Sequence, residues 1–347
     1  MKKIAYIELD THAELAASFY KLTKDSEDFD VDFYFSEKIF KFLDIHEENI
    51  FLTEYSQLSE TLANKKYDLV IIGTVHRHFI FYKSVVERFN TAIVVHNLTF
   101  AKTSKWILFQ SIFKKDQQYR LKLFLKEGLL EAPSLYRKAK YLLGIDEAMA
   151  KKNKLKFFPL FFNQFDSQVS ENDVITVVVP GEVSQKRRDY NSLLAKLKNF
   201  KNIGQNYDII LLGKAAGREL EVLKSISDQL PQFINIKYFT EKISQKYFDK
   251  QMLKADVLYC PIQTETQFFS IKEIYGLTKI SGNIGDAIKY GKPAIFPPAY
   301  RADLPFIIEE KPDLQTQFSE LKNQRFDFSP FSKESISRRL QLFLNTL

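Results

Sequence analysis

Short apolar runs recur along the first half of the sequence, and amphipathic stretches of helical period separate most of them. The runs predict β-strands at residues 4–8, 31–35, 67–73 and 91–96, with 141–145 as a candidate fifth. The third run is nearly continuous in apolar residues, which is typical of a strand covered on both faces. Alternation of strands and helices predicts a parallel α/β sheet with right-handed crossovers.

The same alternation begins again in the second half. Further strands are predicted at residues 174–179, 207–213, 235–239, 256–260 and 294–296. The polar segment 161–173 between the halves predicts an interdomain linker. We therefore expect an N-terminal domain over 1–165, a C-terminal domain over 173–330, and a final amphipathic helix over 331–347 that could pack back on the first domain.

These patterns together predict an α/β protein with two Rossmann-like, doubly wound domains that face a cleft. Ligands of such sheets bind beyond the carboxyl ends of the strands, so the loops that lead from strand to helix are the positions to inspect. Four of the five histidines, all except His46, fall in such loops of the first half. This distribution favours a site in the predicted cleft.

Composition and charge narrow the class of protein. At 347 residues the chain is long enough for two domains, and its 45% of apolar residues can form a sizeable core. The formal net charge of +7 suits anionic partners such as nucleotide phosphates, acidic glycans or anionic lipid. The sequence has no recognised nucleic-acid-binding motif, so we expect no nucleic-acid partner. The single cysteine, Cys260, excludes an internal disulfide and fits a reducing cytosol.

The sequence predicts no membrane-spanning segment. The N-terminus imitates the start of a signal peptide, but the acidic residues Glu8 and Asp10 come too early for one. No apolar run approaches the roughly 20 residues needed to cross a bilayer. We expect a cytoplasmic protein that is either soluble or peripheral on the inner face of the membrane.

The stretch 278–297 carries the strongest chemical signal in the sequence. It predicts a loop, a helix that begins near Ser281, Gly282 and Asn283, and a short buried strand. Ser and Asn side chains cap free backbone amides, and Gly lets a ligand come close to the backbone. A helix start of this kind binds anions such as phosphate or diphosphate. The amides of Ser281, Gly282, Asn283 and Ile284 are the predicted ligands.

This stretch resembles the signature of the retaining group 1 (family 4-like) branch of the GT-B glycosyltransferases. That signature has two Glu residues separated by seven others, the second at a helix start, and then Gly-x-Pro before a strand. Alignment on the Gly-Lys-Pro at 291–293 puts Asp286 at the second acidic position and Thr278 at the first, which is a departure. The resemblance implies that Asp286 binds the ribose hydroxyls of a nucleotide-diphosphate sugar. It leaves the sugar contact to Glu273, Lys279 or the 280–281 backbone.

A second motif, at residues 177–190, resembles the diphosphate loop of the same family. The family pattern is a strand, Gly-Arg-hydrophobic, three residues, and Lys-Gly. Here Gly181 is kept, Glu182 replaces the Arg, and Arg187 stands at the Lys position. A guanidinium can hold a phosphate with two parallel hydrogen bonds, so Arg187 is the predicted diphosphate ligand. The next two loops of the family, the second near the nucleotide base, correspond to Gly213 and to Thr240 with Glu241.

The resemblance extends over roughly residues 174–300 and implies catalysis without a metal or other cofactor, with the nucleotide sugar as substrate. The sequence agrees in having no Asp-x-Asp in a suitable loop and no His/Cys cluster with metal-ligand spacing. The departing diphosphate would then be stabilised by Arg187 and the helix amides.

Three histidines are candidates for the chemistry. His96 closes the fourth strand, where members of the family often place a His near the donor sugar; the alternative is a buried His whose hydrogen bonds are satisfied. His12 lies in the first strand's loop, where acceptor contacts are expected, and an inverting enzyme would need such a residue as general base. His76, beside Arg77, is a further acceptor candidate.

Residues 102–126 form a basic segment with seven Lys and Arg against one acid, Asp116. Trp106, Phe109, Ile112 and Phe113 recur in it at helical spacing. Two interpretations stay open. One is a basic amphipathic helix on an anionic membrane surface, which would suit a lipid-linked acceptor. The other is an ordinary helix that packs its apolar side on the sheet.

The resemblance therefore implies a hexosyltransferase-type enzyme of polysaccharide biosynthesis that moves a sugar from a nucleotide-diphosphate sugar to a glycan or lipid-linked acceptor, with retention. Because Thr278 and Glu182 depart from the family pattern, a GT-B scaffold that binds without transfer is an alternative. A nucleotide-sugar epimerase or hydrolase on the same fold is another.

Overall fold

A computed structural model describes residues 1–165, 173–300 and 302–347. Residues 166–172, which form much of the predicted linker, lie outside the described residues, as does Arg301. The chain divides into two compact units. The first comprises Met1–Phe161, Gln267–Ile280 and Lys333–Leu347, and the second comprises Phe162–Thr266 and Ser281–Ser332.

Strands and helices alternate through the N-terminal part of the first unit. Its strands are β1 (Lys2–Glu8), β2 (Phe29–Phe35), β3 (Ile50–Leu52), β4 (Leu69–Ile72), β5 (Thr91–Val94), β6 (Tyr141–Gly144) and β7 (Lys156–Phe157). Its helices are α1 (Ala13–Thr23), α2 (Glu37–Leu43), α3 (Leu58–Ala63), α4 (Phe79–Arg88), α5 (Thr99–Lys102), α6 (Lys105–Ile112), α7 (Gln117–Glu127), α8 (Ala132–Lys138) and α9 (Glu147–Asn153), with a 3₁₀ turn at Leu129–Glu131. The strands pair in parallel in the order β3-β2-β1-β4-β5-β6-β7.

The parallel α/β prediction for the first half is confirmed, and β1, β2, β4, β5 and β6 lie where strands were expected. The strands β3 and β7 were not predicted. They contain three and two residues, and both lie at the edges of the sheet. Such short strands, which are not fully buried, leave too little apolar pattern to detect.

The prediction of one helix through residues 102–126 is wrong. The segment contains the end of α5, then α6, then α7. The break before α6 has a local cause, because the Ser104 hydroxyl accepts a hydrogen bond from the Ile107 amide and so caps a new helix. Asp116, with φ of 53°, turns the chain before α7.

The second unit repeats the alternation. It begins with β8 (Ile175–Pro180), α10 (Tyr190–Lys198), β9 (Tyr207–Lys214), α11 (Gly217–Ser227), β10 (Ile234–Phe239), α12 (Gln245–Lys254) and β11 (Val257–Tyr259). The strands β8, β9 and β11 are buried almost throughout, and their apolar side chains form the core with those of the flanking helices.

A β-hairpin that was not predicted follows, formed by β12 (Glu265–Phe268) and β13 (Ile271–Ile274). Its tip residues Phe269 and Ser270 both have positive φ, as a two-residue hairpin turn of type I′ requires. Phe269 is buried against Phe100 at a ring distance of 5.2 Å, and Arg120 donates a hydrogen bond to the Ser270 hydroxyl at 2.8 Å. These contacts explain why residues 267–280 belong to the first unit.

The chain then completes the second unit with α13 (Gly282–Tyr290), β14 (Ala294–Phe296), β15 (Ile307–Glu309), α14 (Leu314–Asn323) and a 3₁₀ turn at Ser329–Phe331. The second sheet is parallel, in the order β10-β9-β8-β11-β14-β15. The final helix, α15 (Lys333–Asn345), belongs to the first unit and packs against α1. None of the helices in the described ranges is long and apolar enough to cross a bilayer.

The two sheets share one strand order. In each, the first strand lies between the second and the fourth, so the order reverses beside the first strand. In an open parallel sheet this reversal leaves a crevice at the carboxyl ends of the first and fourth strands, where ligands bind. The two places to inspect are therefore the ends of β1 and β4, and the ends of β8 and β11.

Candidate functional site

Glu8 bridges the crevice of the first unit. It is the last residue of β1, its side chain is fully buried, and its Oε2 accepts a hydrogen bond from the Thr74 hydroxyl, just beyond β4, at 2.7 Å. Its Oε1 accepts the backbone amides of Asp10 and Thr11, both at 3.3 Å. Burial raises the pKa of Glu8 to about 7, although the hydrogen bond from Thr74 and the charge of His12 oppose this shift.

Gly73 makes room for this arrangement. A Cβ at this position would lie 2.6 Å from Glu8 Oε2 and 2.7 Å from Tyr6 Oη, which is closer than atoms can approach. The Tyr6 side chain is fully buried, and burial raises its pKa well above the ordinary value. The cluster thus consists of an acid, a phenol and a hydroxyl packed against a backbone position where any larger residue would force Glu8 and Tyr6 to shift.

His12 and His96, two of the predicted site residues, lie together above this cluster. Their rings stack with centroids 3.9 Å apart and planes 8° from parallel. His12 precedes α1 in the left-handed conformation, with φ of 58°, and its Nδ1 lies 3.0 Å from Glu14 Oε1. Burial opposes protonation of His12, but the hydrogen bond to Glu14 and the charges of Glu14, Glu8 and Asp10 outweigh it and raise its pKa.

His96 has the opposite electrostatic character. Its Nε2 lies 2.8 Å from the Gly73 carbonyl oxygen, so this nitrogen carries the proton that is donated. Burial and the neighbouring His12 lower its pKa well below the ordinary value. Its Nδ1 is then an acceptor, and within the described chain this buried atom has no hydrogen-bond partner. The stacked pair therefore favours one cationic and one neutral imidazole.

His76, the predicted acceptor residue, lies in the same loop region. Its Nε2 is 2.8 Å from Asp10 Oδ2. Burial acts to raise the pKa of Asp10, but the hydrogen bond and charge of His76, with Arg77 and Lys38, lower it overall. Arg77 itself is held by two hydrogen bonds to the buried Glu127, at 3.2 and 2.9 Å. The three predicted histidines of the first unit are thus close enough to interact electrostatically.

Lys279 lies in the first unit, beside the chain that carries His96. The Ile280 amide donates to the His96 carbonyl at 3.3 Å, and the Leu98 amide donates to the Thr278 carbonyl at 2.8 Å. The Lys279 ammonium is 2.7 Å from Oε2 of Glu273, whose side chain is only 1% exposed. Lys279 is therefore paired with a buried carboxylate of its own unit.

In the second unit, the loop after β8 closes over Gly181. This residue has φ of 103°, and a Cβ on it would lie 2.4 Å from Nη2 of Arg188. Arg188 Nη1 donates to the Glu182 carbonyl and Nη2 donates to Asn283 Oδ1, both at 3.3 Å. The Nε–H of Arg188 is buried and has no acceptor among the described residues. The guanidinium therefore connects the loop to the start of α13.

Ser281 caps α13, as expected, and accepts the Asn283 amide at 3.3 Å. The buried Asn283 side chain donates to the Asp286 carboxylate at 3.0 Å and to the Pro180 carbonyl at 3.5 Å. Ile284 is also buried, whereas Gly282 is exposed and a Cβ there would meet no atom within 4 Å. Open space thus lies next to the first residue of the helix.

The remaining predicted donor residues have other placements. Arg187 is exposed, and its backbone bonds to Ser184 and Gln263 while its neighbour Arg188 contacts Asn283. Gly213 lies inside β9, where a Cβ would be 2.2 Å from the Gly181 carbonyl oxygen. Thr240 and Glu241 are exposed between β10 and α12. Their roles as ligands stay predictions.

Sequence reasoning did not single out Glu8 or Arg188 as site residues. Glu8 had a usable signal, because an acid that ends an apolar strand must be either exposed at the loop or buried with partners. Arg188 had no such signal. It follows two other basic residues, Lys186 and Arg187, and only the conformation of the loop decides which of the three side chains turns inward. The described ranges contain no group of three or more His, Cys, Asp and Glu side chains placed to hold a metal ion.

No family model and no curated protein sequence matches the chain. Solved structures do match over nearly its whole length. The lipopolysaccharide outer core galactosyltransferase WaaB is 12% identical with a TM-score of 0.58, and the match covers 99% of both chains. The chain has the GT-B fold.

Two other GT-B structures have similar scores. An α-glucosyltransferase in complex with UDP and a 13-mer DNA is 12% identical with a TM-score of 0.52, covering 99% of this chain and 95% of that one. The UDP-GlcNAc 2-epimerase of Methanocaldococcus jannaschii is also 12% identical with a TM-score of 0.52, covering 99% and 100%. At such identity the likeness establishes the fold, which confirms the predicted class of two parallel α/β sheets.

Proposed function

We propose that the protein is a glycosyltransferase that takes a sugar from a nucleotide-diphosphate donor and passes it to a glycan or a lipid-linked acceptor. The observation that carries the proposal is the Arg188 guanidinium beside the start of α13. There it contacts Asn283 and leaves an Nε–H donor without an acceptor in the described chain. A guanidinium next to a helix N-terminus with open space in front of it suits a diphosphate.

The nucleoside and diphosphate parts of the donor would be bound by residues of the second unit. The diphosphate would lie against the exposed backbone of Gly282 and the Arg188 side chain, and Asp286 would accept hydrogen bonds from the ribose hydroxyls. As the sugar leaves, negative charge grows on the diphosphate, and these preorganised donors would stabilise it without a metal. Retention of configuration is proposed on the resemblance of the 278–297 and 177–190 motifs to the retaining branch.

The first unit would supply the side chains that form hydrogen bonds with hydroxyl groups of the sugar and of the acceptor. His96 offers Nδ1 as an acceptor for a sugar hydroxyl, because its Nε2 proton is held by Gly73. His12, whose pKa is raised, and His76, paired with Asp10, are proposed to contact the acceptor. In this role the three histidines orient the substrates, and His12, whose pKa is raised, is the one proposed to exchange a proton with them.

A nucleotide-sugar epimerase is the second candidate. The titratable cluster of Glu8, His12 and His96 favours it, since removal and return of a proton on the sugar requires an acid and a base. One GT-B neighbour of comparable score is an epimerase. Both candidates need the same nucleotide-diphosphate site, so they differ in the product and not in the donor contacts.

Two measurements test the proposal. Thermal unfolding is followed with UDP, GDP and their sugars, and we expect a nucleoside diphosphate to raise the midpoint. The nucleotide sugar that raises the midpoint is then incubated with the protein, and the products are resolved by chromatography. Transfer of the sugar to an added glycan or lipid acceptor supports the glycosyltransferase, whereas a new epimer of the donor supports the second candidate. If no nucleotide stabilises the protein, both enzyme proposals fail.

A further inference from the structure

The helices α6 and α7 of the first unit expose large apolar side chains to solvent. Trp106, Phe113 and Leu125 are 64%, 66% and 67% exposed, and Ile107, Tyr119 and Leu121 are exposed as well. The opposite sides of the two helices are anchored, because Leu108, Ile112 and Leu123 are buried in the core. The exposed side chains are therefore presented by a fixed surface.

The aromatic side chains of this region contact one another across the two helices. The Phe109 ring stacks on Trp106 at a centroid distance of 6.0 Å and meets Phe113 edge-on at 5.4 Å. It also meets Phe124 of α7 at 6.0 Å, which joins the two helices. Leu121 and Leu125 are one helical turn apart on α7 and so lie on one side of it. Contiguous exposed apolar area of this kind marks an interaction site.

The same surface is strongly basic. Lys114, Lys115, Lys122 and Lys126 are exposed, and none of them forms an ion pair with a residue in the described part of the chain. Lys122 and Lys126 directly follow Leu121 and Leu125 along α7. By contrast, Lys105 is paired with Glu131 at 3.4 Å. Unpaired cations and exposed apolar side chains thus occur together on the α6–α7 segment, with Lys122 and Lys126 on the side of α7 adjacent to that of Leu121 and Leu125.

We propose that this α6–α7 patch binds the surface of an anionic lipid bilayer. The patch is defined by Trp106, Ile107, Phe113, Tyr119, Leu121, Leu125, Lys114, Lys115, Lys122 and Lys126. Aromatic and aliphatic side chains enter the headgroup region while Lys ammonium groups meet lipid phosphates. A second copy of the chain fits less well, because two such patches would oppose like charges. The proposal stands on this surface alone and does not depend on the proposed enzyme activity.

Tryptophan fluorescence tests the proposal directly, because Trp106 is the only tryptophan of the chain. The protein is titrated with vesicles of equimolar phosphatidylglycerol and phosphatidylcholine. We expect a blue shift of the emission, quenching by lipids brominated in their acyl chains, and weakening of both effects by added salt. An unchanged emission spectrum overturns the proposal. So does a blue shift that is equally strong with phosphatidylcholine alone.

Variants locate the binding surface. In vesicle cosedimentation we expect Lys122→Gln with Lys126→Gln to weaken binding by about five-fold per lysine. Phe113→Ser with Leu125→Ser should remove most of it. The control is Leu342→Ser on α15, which changes a side chain of nearly the same exposure, 65%, in the same unit and should leave binding unchanged. Equal losses in the control contradict the location. A blue shift that grows with protein concentration in the absence of lipid assigns the patch to a second copy and overturns the proposal.

Discussion

Where the first strand of each sheet ends, the first unit has Glu8 and the second has Pro180. The Glu8 carboxylate accepts the amides of the loop that follows it, so those amides are occupied and a buried carboxyl group lies in the crevice. After Pro180, the Arg188 guanidinium instead contacts the Glu182 carbonyl and the Asn283 side chain, which itself donates to Asp286. One strand order thus produces two sites that differ in the charged side chain nearest the end of the first strand.

This difference between Glu8 and Pro180 indicates which unit can bind an anion. A diphosphate placed at the end of β1 would compete with Glu8 for the Asp10 and Thr11 amides and would be repelled by its charge when ionised. At the end of β8 the same ligand meets a cation and a helix start. The fold determines where a crevice lies, and the side chain that ends the first strand determines what it can bind.

The largest expected effect tests the cationic site. Arg188→Ala should lower the affinity for a nucleoside diphosphate by about 10- to 100-fold, since a hydrogen bond to a charged group contributes about 1.5–3 kcal/mol. Isothermal titration calorimetry measures it, with the exposed Arg325→Ala as the matched control. Arg188→Lys, which keeps the charge, should recover part of the affinity.

The same titration with Arg187→Ala decides between the two arginines. We expect a smaller loss, because the Arg187 side chain is exposed and Asn283 is contacted by Arg188. If Arg187→Ala abolishes binding and Arg188→Ala does not, the assignment made from the family pattern is correct and the contact to Asn283 is only structural.

The buried Glu8 should make the free energy of unfolding depend on pH. Burial raises the pKa of Glu8 from an ordinary value of 4.5 to about 7, so between these values the folded state keeps a proton that the unfolded state has released. Stability from this group is therefore lost as the pH rises through this window. The free energy of unfolding of Glu8→Gln, relative to the wild type, should rise by up to about 3 kcal/mol from below pH 4.5 to above pH 7.

Urea unfolding at several pH values measures this difference. Because the charges of Glu8 and His12 act on each other, the difference between the two proteins reports Glu8 together with its coupling to His12. The second unit, with no acid at the equivalent Pro180, offers no such group at the end of its first strand. Curves for the two proteins that stay parallel across this pH range would show that Glu8 is not shifted.

A pair of glycines compares the packing of the two crevices. Gly73→Ala should destabilise the protein by about 1–3 kcal/mol, because the new methyl group would overlap the carboxyl group of Glu8 and the hydroxyl of Tyr6. Gly282→Ala should be neutral or slightly stabilising, since a methyl group there meets no atom within 4 Å. Thermal unfolding checks both, and a similar loss for Gly282→Ala would mean that the space in front of α13 is filled.

The smallest effect concerns the ribose. Asp286→Asn should weaken nucleoside diphosphate binding by about five-fold, the value of one ordinary hydrogen bond, and leave the affinity for inorganic pyrophosphate unchanged. Calorimetry with the two ligands separates the contributions. An equal loss of affinity for pyrophosphate would mean that Asp286 positions Asn283 and Arg188 and does not contact the ribose.

The sequence by itself determined the features that depend on neighbours along the chain. Alternating apolar runs predicted two parallel α/β sheets, and the Ser-Gly-Asn at 281–283 predicted the start of α13, because strand burial and helix capping act within a few residues. The two-sheet GT-B class followed from these local signals and the resemblance of two motifs.

Only the tertiary structure decided which distant groups meet. Glu8 accepts a hydrogen bond from Thr74, which is 66 residues away, and Arg120 donates one to Ser270, which is 150 residues away. Neither pairing produces a local pattern in the sequence. Likewise, residues 267–280 belong to the first unit, where Phe269 packs against Phe100. Such contacts depend on strand order and on the direction of each loop, which the chain acquires only when its sheets have formed.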